Sequence, residues 1–337
     1  MGRKNKSYSK TLHQQAYEKL TSMQAFGQSK KAAIIDGTDR NKIFSFNTYQ
    51  TYWKHSKYFI KWIQENHPEC TTLKSAKKYV NEWLQERSDK GLSAWTIQTE
   101  AKALGKLYGI KPGDPDYFSP PKRNRVDIER SRGDKVRDRH FSEKNNAELV
   151  KFCKGTGLRR SELENLRGSD LITKEQITKE IEKIEALKSP SEDDVKRLGV
   201  LKDASKFDAD HYIHVRNGKG GRERISPIIG KDSAKIIERM KEAAAGKVWQ
   251  HVNSNADIHG YRGDYATAIY KANARDISDI PFDKVNKGTG RAYQSEVYTC
   301  RKDESGKKLD KAAMKLTSKA LGHNRIEVVA NNYIRGL

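Results

Sequence analysis

Apolar residues recur at three- and four-residue intervals through roughly the first third of the chain, the spacing that lays one stripe along a helix. The pattern predicts helices near residues 9–25, 47–66, 73–90 and 94–108, with Thr72 and Ser93 as caps just ahead of two of them. In the second, Tyr52, Phe59 and Ile63 follow one another at spacings of seven and four, with Tyr49 and Trp53 alongside. Aromatic rings in a basic protein can stack on bases, but rings at this spacing are expected to pack a core.

The periodicity then breaks at Lys111-Pro-Gly-Asp-Pro and again at Ser119-Pro-Pro, where proline blocks helix continuation. Between Lys122 and Arg139 there are eight Lys/Arg against four Asp/Glu, which reads as an extended basic linker. Beyond it helix and strand patterns mix. Helices are expected over 143–153 and 158–167, broken by Gly155-Thr-Gly157, and from His259 to about residue 274. A charged, helix-favouring stretch over 174–206 is broken at Ser189-Pro-Ser191 and reads as an inserted helical hairpin. Residues 211–217 and 224–229 alternate as two strands around a glycine-rich turn, and two short strands flank Ser305-Gly306 between 296 and 309. The expected fold is mainly α with small β elements. Its domains are a helical one over 1–115, a basic linker over 116–140 and a mixed one over 141–337, with the insertion at about 173–206.

Charge narrows the function. The chain of 337 residues carries a formal net charge of +22, with 35% hydrophobic and 33% charged residues. Such an excess repels itself in a compact fold and calls for a polyanionic partner. Nucleic acid is the natural one, because each neutralised phosphate releases a counterion. No apolar run approaches the roughly 18 residues of a spanning helix, residues 1–10 lack a signal-peptide core, and Lys6 occupies the Ser/Thr position that myristoylation at Gly2 requires. Cys70, Cys153 and Cys300 show neither disulfide-framework nor zinc spacing. The expectation is a cytoplasmic, nucleoid-associated protein with no membrane partner, no structural metal and no cofactor.

Four clusters carry candidate chemistry. In Thr156-Gly-Leu-Arg-Arg-Ser-Glu-Leu, a helix starting at Leu158 would set Arg159 and Glu162 three apart on one face, with Glu162 orienting the guanidinium. Taken alone this is a common surface ion pair of little worth. In Gly218-Lys-Gly-Gly-Arg-Glu-Arg224 the glycines make a turn with Lys219 at its tip; a phosphate-binding P-loop would need a helix to follow, and a strand follows here. His259-Gly-Tyr-Arg262 opens a helix, where a phosphate is well placed. Leu321-Gly-His323 is followed ten residues after the histidine by Tyr333, which shares a helical stripe with Ile326, Val329 and Ala330. Each cluster has an ordinary structural explanation by itself.

Their order does not. Arg with Glu, then Lys on a hairpin, then His-x-x-Arg, then Leu-Gly-His, then Tyr333 resembles the tyrosine recombinase (phage integrase) family over residues 141–337. The segments 156–163, 218–224 and 321–323 stand near the family's usual wording. Departures are the long step from Arg159 to Lys219, taken up by the insertion, and the long step from His259 to His323, taken up by the 296–309 hairpin. Tyr261 stands where the family usually has Leu, Gly263 where it often has His or Arg, and the step from His323 to Tyr333 is ten residues rather than the common nine. Four residues follow Tyr333, so little C-terminal segment is expected for exchange between subunits.

The resemblance implies a SAM-like helical core-binding domain ahead of a mixed α/β catalytic domain. It also implies a site-specific recombinase or integrase of a mobile element or phage that works through a 3′-phosphotyrosine. Tyr333 would be the nucleophile, Arg159 and Arg262 would hold the phosphate, Lys219 would protonate the leaving 5′ oxygen, His259 would serve the phenol, and His323 would donate to the phosphate. The implied partner is double-stranded DNA bearing recombination sites, bound by a homotetramer with accessory DNA-bending proteins. A type IB topoisomerase shares the constellation and differs in swivelling strands instead of exchanging them. A non-catalytic DNA-binding regulator on the same scaffold is the other rival. A rolling-circle relaxase would need His-hydrophobic-His for a metal, and His211-Tyr-Ile-His214 has two residues between its histidines.

Overall fold

The structure, a computed structural model, describes residues 10–124, 141–219, 221–283, 292–301 and 304–334. Ser9 at the start of the first expected helix, the linker over 125–140 and Gly220 in the expected turn lie outside the described residues, as do 302 and 303 in the second expected strand pair. The chain divides into two compact units, Met1–Asp127 and Ile128–Leu337.

The first unit is helical: α1 (Leu12–Thr21), α2 (Lys30–Ile35), α3 (Phe46–Asn66), α4 (Leu73–Ala76), α5 (Val80–Asp89) and α6 (Ala94–Tyr108). Thr11, Ser29, Ser45, Thr72 and Ser93 each accept a backbone N–H of the following turn, which fixes where five of these begin. The aromatic stripe of α3 is core: Phe59 and Ile63 are buried with Leu20, Trp83, Leu84 and Leu104. Two expectations change. The first helix stops at Thr21 instead of 25, because Ala25 N–H donates to Ile43 O at 2.9 Å and pulls the chain into a bridge. The helix expected over 73–90 is interrupted by a 3-10 turn at Lys77–Tyr79. The six-residue α2 is too short to register as periodicity.

The second unit runs α7 (Ala147–Thr156), α8 (Arg160–Asn165), β1 (Leu171–Thr173), α9 (Lys174–Glu185), α10 (Glu192–Ala204), β2 (His211–Val215), β3 (Arg224–Pro227), α11 (Ser233–Ala243), α12 (Ile258–Asn273), β4 (Val297–Thr299), β5 (Lys308–Asp310), α13 (Lys311–Ala320) and α14 (Ile326–Asn332). The class is mainly α with small β elements, as expected. Strands β1, β2 and β3 form an antiparallel sheet in that order, with Ile213 opposite both Leu171 and Ser226. β4 and β5 form a separate antiparallel pair. Alternation splits the main sheet between two cores. Tyr212 and Ile225 join a cluster with Ile177, Leu201, Tyr265, Met314 and Val329, while Ile213 and Val215 join one with Phe152, Leu163, Trp249 and Tyr261.

The inserted hairpin is α9 and α10. Its apolar residues Ile177, Ile184, Leu201 and Ala204 are buried in the first of those clusters, so it packs on the body of the unit. Three expectations need correction here. Helix α8 begins at Arg160 and ends at Asn165 instead of spanning 158–167, leaving Arg159 as its cap. Gly155 lies inside α7, and only Gly157 ends it. Tyr333 sits one residue past α14 and caps it, instead of continuing its stripe. Strand β1 and helices α11 and α13 were not legible as elements.

Candidate active site

Two glycine turns set the frame. Gly157 ends α7 with φ +61, and a Cβ there would lie 2.2 Å from the Tyr265 ring. Only glycine accepts both the left-handed backbone and that contact. Gly322 has φ +68 after α13, with a would-be Cβ 2.8 Å from Arg224 Cδ. These turns leave the carbonyls of Gly157 and Leu321 facing one side chain: Arg262, on the second turn of α12, donates Nη1 to Gly157 O and Nη2 to Leu321 O. Arg159 Nη2 also donates to Leu321 O, at 3.3 Å. Two guanidiniums from distant segments therefore converge on one carbonyl oxygen. Arg262 is 1% exposed, and its Nε has no hydrogen-bond partner. Burial, and then the charge of Arg224 beside it, pull its pKa down to about 10.

Glu162 is the counterion. Its carboxylate accepts Arg159 Nη1 at 2.7 Å and the Arg159 backbone N–H at 2.8 Å, closing the first turn of α8. It also accepts Arg224 Nη1 at 2.8 Å and Nη2 at 2.6 Å, a fork-on-fork pair. Burial alone would raise this carboxyl, but Arg224 and then Arg159 outweigh it and hold the pKa at about 2. Three guanidiniums and one carboxylate leave two positive charges in excess at neutral pH. A phosphodiester brings one negative charge and its transition state adds to it, so the surplus matches a phosphoryl centre. Glu162 is thus a positioning residue for Arg159 and Arg224, a fuller role than the single pair expected from spacing.

Tyr333 is 5% exposed, and its ring is flanked on three sides. The Arg262 guanidinium lies 5.4 Å from its centroid, the His259 ring 5.1 Å and the His323 ring 5.3 Å. His323 Nε2 is 3.3 Å from Tyr333 Oη. Thr267 Oγ1 donates to the Tyr333 carbonyl at 3.4 Å, fixing the backbone on α12. The expectation gave the phenol to His259, whose ring lies against that of Tyr333; His323 also reaches it, through Nε2. The tyrosine has left the helix by one residue, which turns its ring back toward the Leu321 turn. Burial, then the charges of Arg262, Arg159, Arg224 and Lys219, push His323 down to about 4, so it is neutral at pH 7.

Every residue singled out from the sequence thus lies in the second unit and around this centre. Arg262, His259 and His323 each lie against the Tyr333 ring, Arg159 shares the Leu321 carbonyl with Arg262 and pairs with Glu162, and Lys219 stands exposed in the loop between β2 and β3, close enough for its charge to act on His323. Two residues were missed. Arg224 was only one more cation in a basic turn; the signal was its place on the inward face of a strand with Ser226, whose hydroxyl accepts Arg224 Nε at 3.0 Å and donates to Ala320 O at 2.7 Å. Arg160 carries no sequence signal beyond standing next to Arg159. It donates to the carbonyls of Asn253 at 2.8 Å and Ala256 at 2.9 Å, tying down the segment that delivers His259. Arg159, Arg160, His259 and Arg262 line an open cleft of about 420 Å³.

No protein-family model matches the chain, and no curated protein does. Among solved structures, it is similar to the Tn1549 transposon integrase in complex with transposon right end DNA, at 12% identity over 97% of this chain and 96% of that one, with a TM-score of 0.43. The same integrase in complex with circular intermediate DNA matches at 13% identity, over 97% and 96% of the two chains, with a TM-score of 0.36. XerA recombinase matches at 14% identity, 95% and 94%, and 0.28. At these scores the functional reading rests on the site's own geometry. No helix among the described residues is long and apolar enough to cross a membrane.

Proposed function

We propose that this protein is a site-specific DNA recombinase of the tyrosine type, which cuts and rejoins DNA through a phosphotyrosine at Tyr333. One observation carries the reading: Arg159 and Arg262 converge on Leu321 O beside a tyrosine whose hydroxyl is within reach of a neutral imidazole. A surface tyrosine or a structural ion pair has no use for two guanidiniums held on one carboxylate with a third, Arg262, on the Leu321 carbonyl beside them.

The chemistry follows. The two guanidiniums donate to the non-bridging oxygens of the scissile phosphate, and each such donor is worth on the order of 3 kcal/mol in the transition state. Tyr333 Oη attacks phosphorus while His323, neutral at pH 7, accepts the phenolic proton, whose ordinary pKa is about 10. The P–O5′ bond breaks, and Lys219 supplies the proton that lets the 5′ oxygen leave as an alcohol. The 3′ phosphate is now esterified to Tyr333. Attack by a 5′ hydroxyl of the exchanged strand reverses each transfer and releases the tyrosine. His259, across the ring from His323, lines the phosphate cleft. Duplex DNA is the partner that matches the chain's charge, with four protomers on two sites and accessory bending proteins as the assembly. A mobile element is the genetic setting.

The test is covalent capture on a nicked duplex selected by binding from DNA flanking the gene. Wild type is expected to form an adduct that survives denaturation, and Tyr333→Phe none. An adduct with Tyr333→Phe identifies another nucleophile. Binding without any adduct supports a regulator on this scaffold.

A further inference from the structure

Helices α9 and α10 pack on the sheet face that carries Tyr212, His214 and Ile225. Arg224, one residue along β3, occupies the opposite face and belongs to the phosphate centre. The ladder between β2 and β3 ends at Val215 and Arg224, so residues 216–219 and 221–223 lie beyond the sheet with Lys219 exposed among them. Within that loop Gly218 N–H donates to Arg222 O at 2.8 Å and Gly221 N–H to Gly218 O at 2.9 Å. The turn carrying Lys219 is therefore closed on itself and hangs from Arg222 and Glu223.

The insertion grips that attachment point. Arg197 of α10 donates Nε and Nη2 to both oxygens of Glu180 on α9, at 2.7 and 2.8 Å, locking the two helices together. Its Nη1 reaches Glu223 Oε1 and lies 3.0 Å from His214 Nε2, which itself is 2.5 Å from the same Glu223 oxygen. A second tether, Asp203 of α10 to Lys319 of α13 at 2.7 Å, joins the insertion to the helix that runs into Leu321-Gly322-His323. Between the two tethers lies a cleft of about 790 Å³ lined by Arg197, Asp203, Glu223, Lys319 and His323. A purely structural insertion needs only its apolar contacts. This one spends a part-buried arginine fork on the base of a loop.

We propose that the inserted α9–α10 hairpin is a clamp that fixes the Lys219 loop, with Arg197, His214 and Glu223 as positioning residues for the proton donor. The clamp rests on the reading of Lys219 as general acid. Lysine has a long flexible stem, so its ammonium is placed only as well as the loop's base is held. A misplacement of about 1 Å can cost up to about a hundredfold in rate.

The test compares two nicked duplexes of the same sequence, one with an ordinary scissile phosphate and one whose bridging 5′ oxygen is sulfur. A thiol has a pKa of about 8.5 and leaves as the thiolate without protonation. Lys219→Ala is expected to lose roughly a hundredfold or more on oxygen, the usual share of a general acid, and to regain wild-type rate on sulfur. Arg197→Ala and Glu223→Ala are expected to bind the duplex normally and cleave oxygen about tenfold slower. On sulfur they should match wild type, and the double variant should be no slower than either single one. Arg197→Lys, which keeps the charge but loses the fork, should fall between. Equal slowing on both duplexes, or wild-type rates on oxygen, overturns the clamp. If Lys219→Ala itself is not restored by sulfur, the general-acid assignment falls first and the clamp with it. Should Arg197→Ala not fold, Glu223→Ala, at the partly exposed end of the network, decides alone.

Discussion

Glu162→Gln tests the electrostatics of the site: glutamine keeps the shape, removes the charge and turns one accepting oxygen into an NH2 that faces the donors of Arg159 and Arg224. The Glu162 side chain is 3% exposed, and its carboxylate accepts both Nη atoms of Arg224, Nη1 of Arg159 and one backbone N–H. The gap between an ordinary glutamate at 4.5 and about 2 corresponds to about 3 kcal/mol of folding free energy. That agrees with the roughly 3–5 kcal/mol expected when one partner leaves a buried ion pair. For a unit of this size it lowers the midpoint of thermal unfolding by about 6–12 °C. The sign in pH is fixed. A carboxyl depressed by folding contributes stability in full above its unfolded value of 4.5, and loses it as pH falls through about 2. Urea titrations of wild type and variant at pH 7 and pH 3 should therefore show a gap near 3 kcal/mol at pH 7, and less than about half of it at pH 3. Bound duplex supplies part of the missing negative charge, so DNA should raise the variant's melting temperature more than the wild type's. A gap below about 1 kcal/mol at pH 7 would refute the reasoning, since the pair would then be screened like a surface one. A gap that does not change with pH would do the same.

Further outcomes follow from the same contacts. His323 is held neutral, its folded pKa of about 4 lying below the ordinary 6.5, so the unfolded chain takes up a proton that the folded chain refuses; stability should fall as pH drops from about 6.5 to 4, and His323→Gln should flatten that part of the profile in a pH series of denaturant midpoints. Gly157→Ala places a Cβ against the Tyr265 ring at a left-handed backbone position, and calorimetry should register a loss of at least about 2 kcal/mol. Tyr265→Phe removes only the hydroxyl that donates to Pro227 O at 2.8 Å; it should cost about 1 kcal/mol in urea and leave adduct formation at the wild-type rate. Arg262→Lys cannot reach both Gly157 O and Leu321 O with a fork, and capture assays should show normal duplex binding with cleavage lower by about a hundredfold or more.

Much of this was written into the sequence because it is local. Helical spacing located α3, α6, α9 and α10, and Thr72 and Ser93 cap the starts of α4 and α6 as their positions predict. Alternation located β2 and β3 around their turn, and the order of the clusters singled out Arg159, Glu162, Lys219, His259, Arg262, His323 and Tyr333. What the sequence could not hold is distance between segments. Arg224 and Glu162 are 62 residues apart and meet only because the sheet face presented by β3 packs over α8; alone, Arg224 was another cation in a basic turn. Arg197 reaches Glu223 only because the insertion folds back on the sheet. That His323 as well as His259 lies against the Tyr333 ring depends on α14 ending one residue before it, where a local pattern continues smoothly and tertiary contacts with α12 stop it. Periodicity and order fixed which residues could matter. Packing, which no local pattern encodes, decided which of them meet and at what charge.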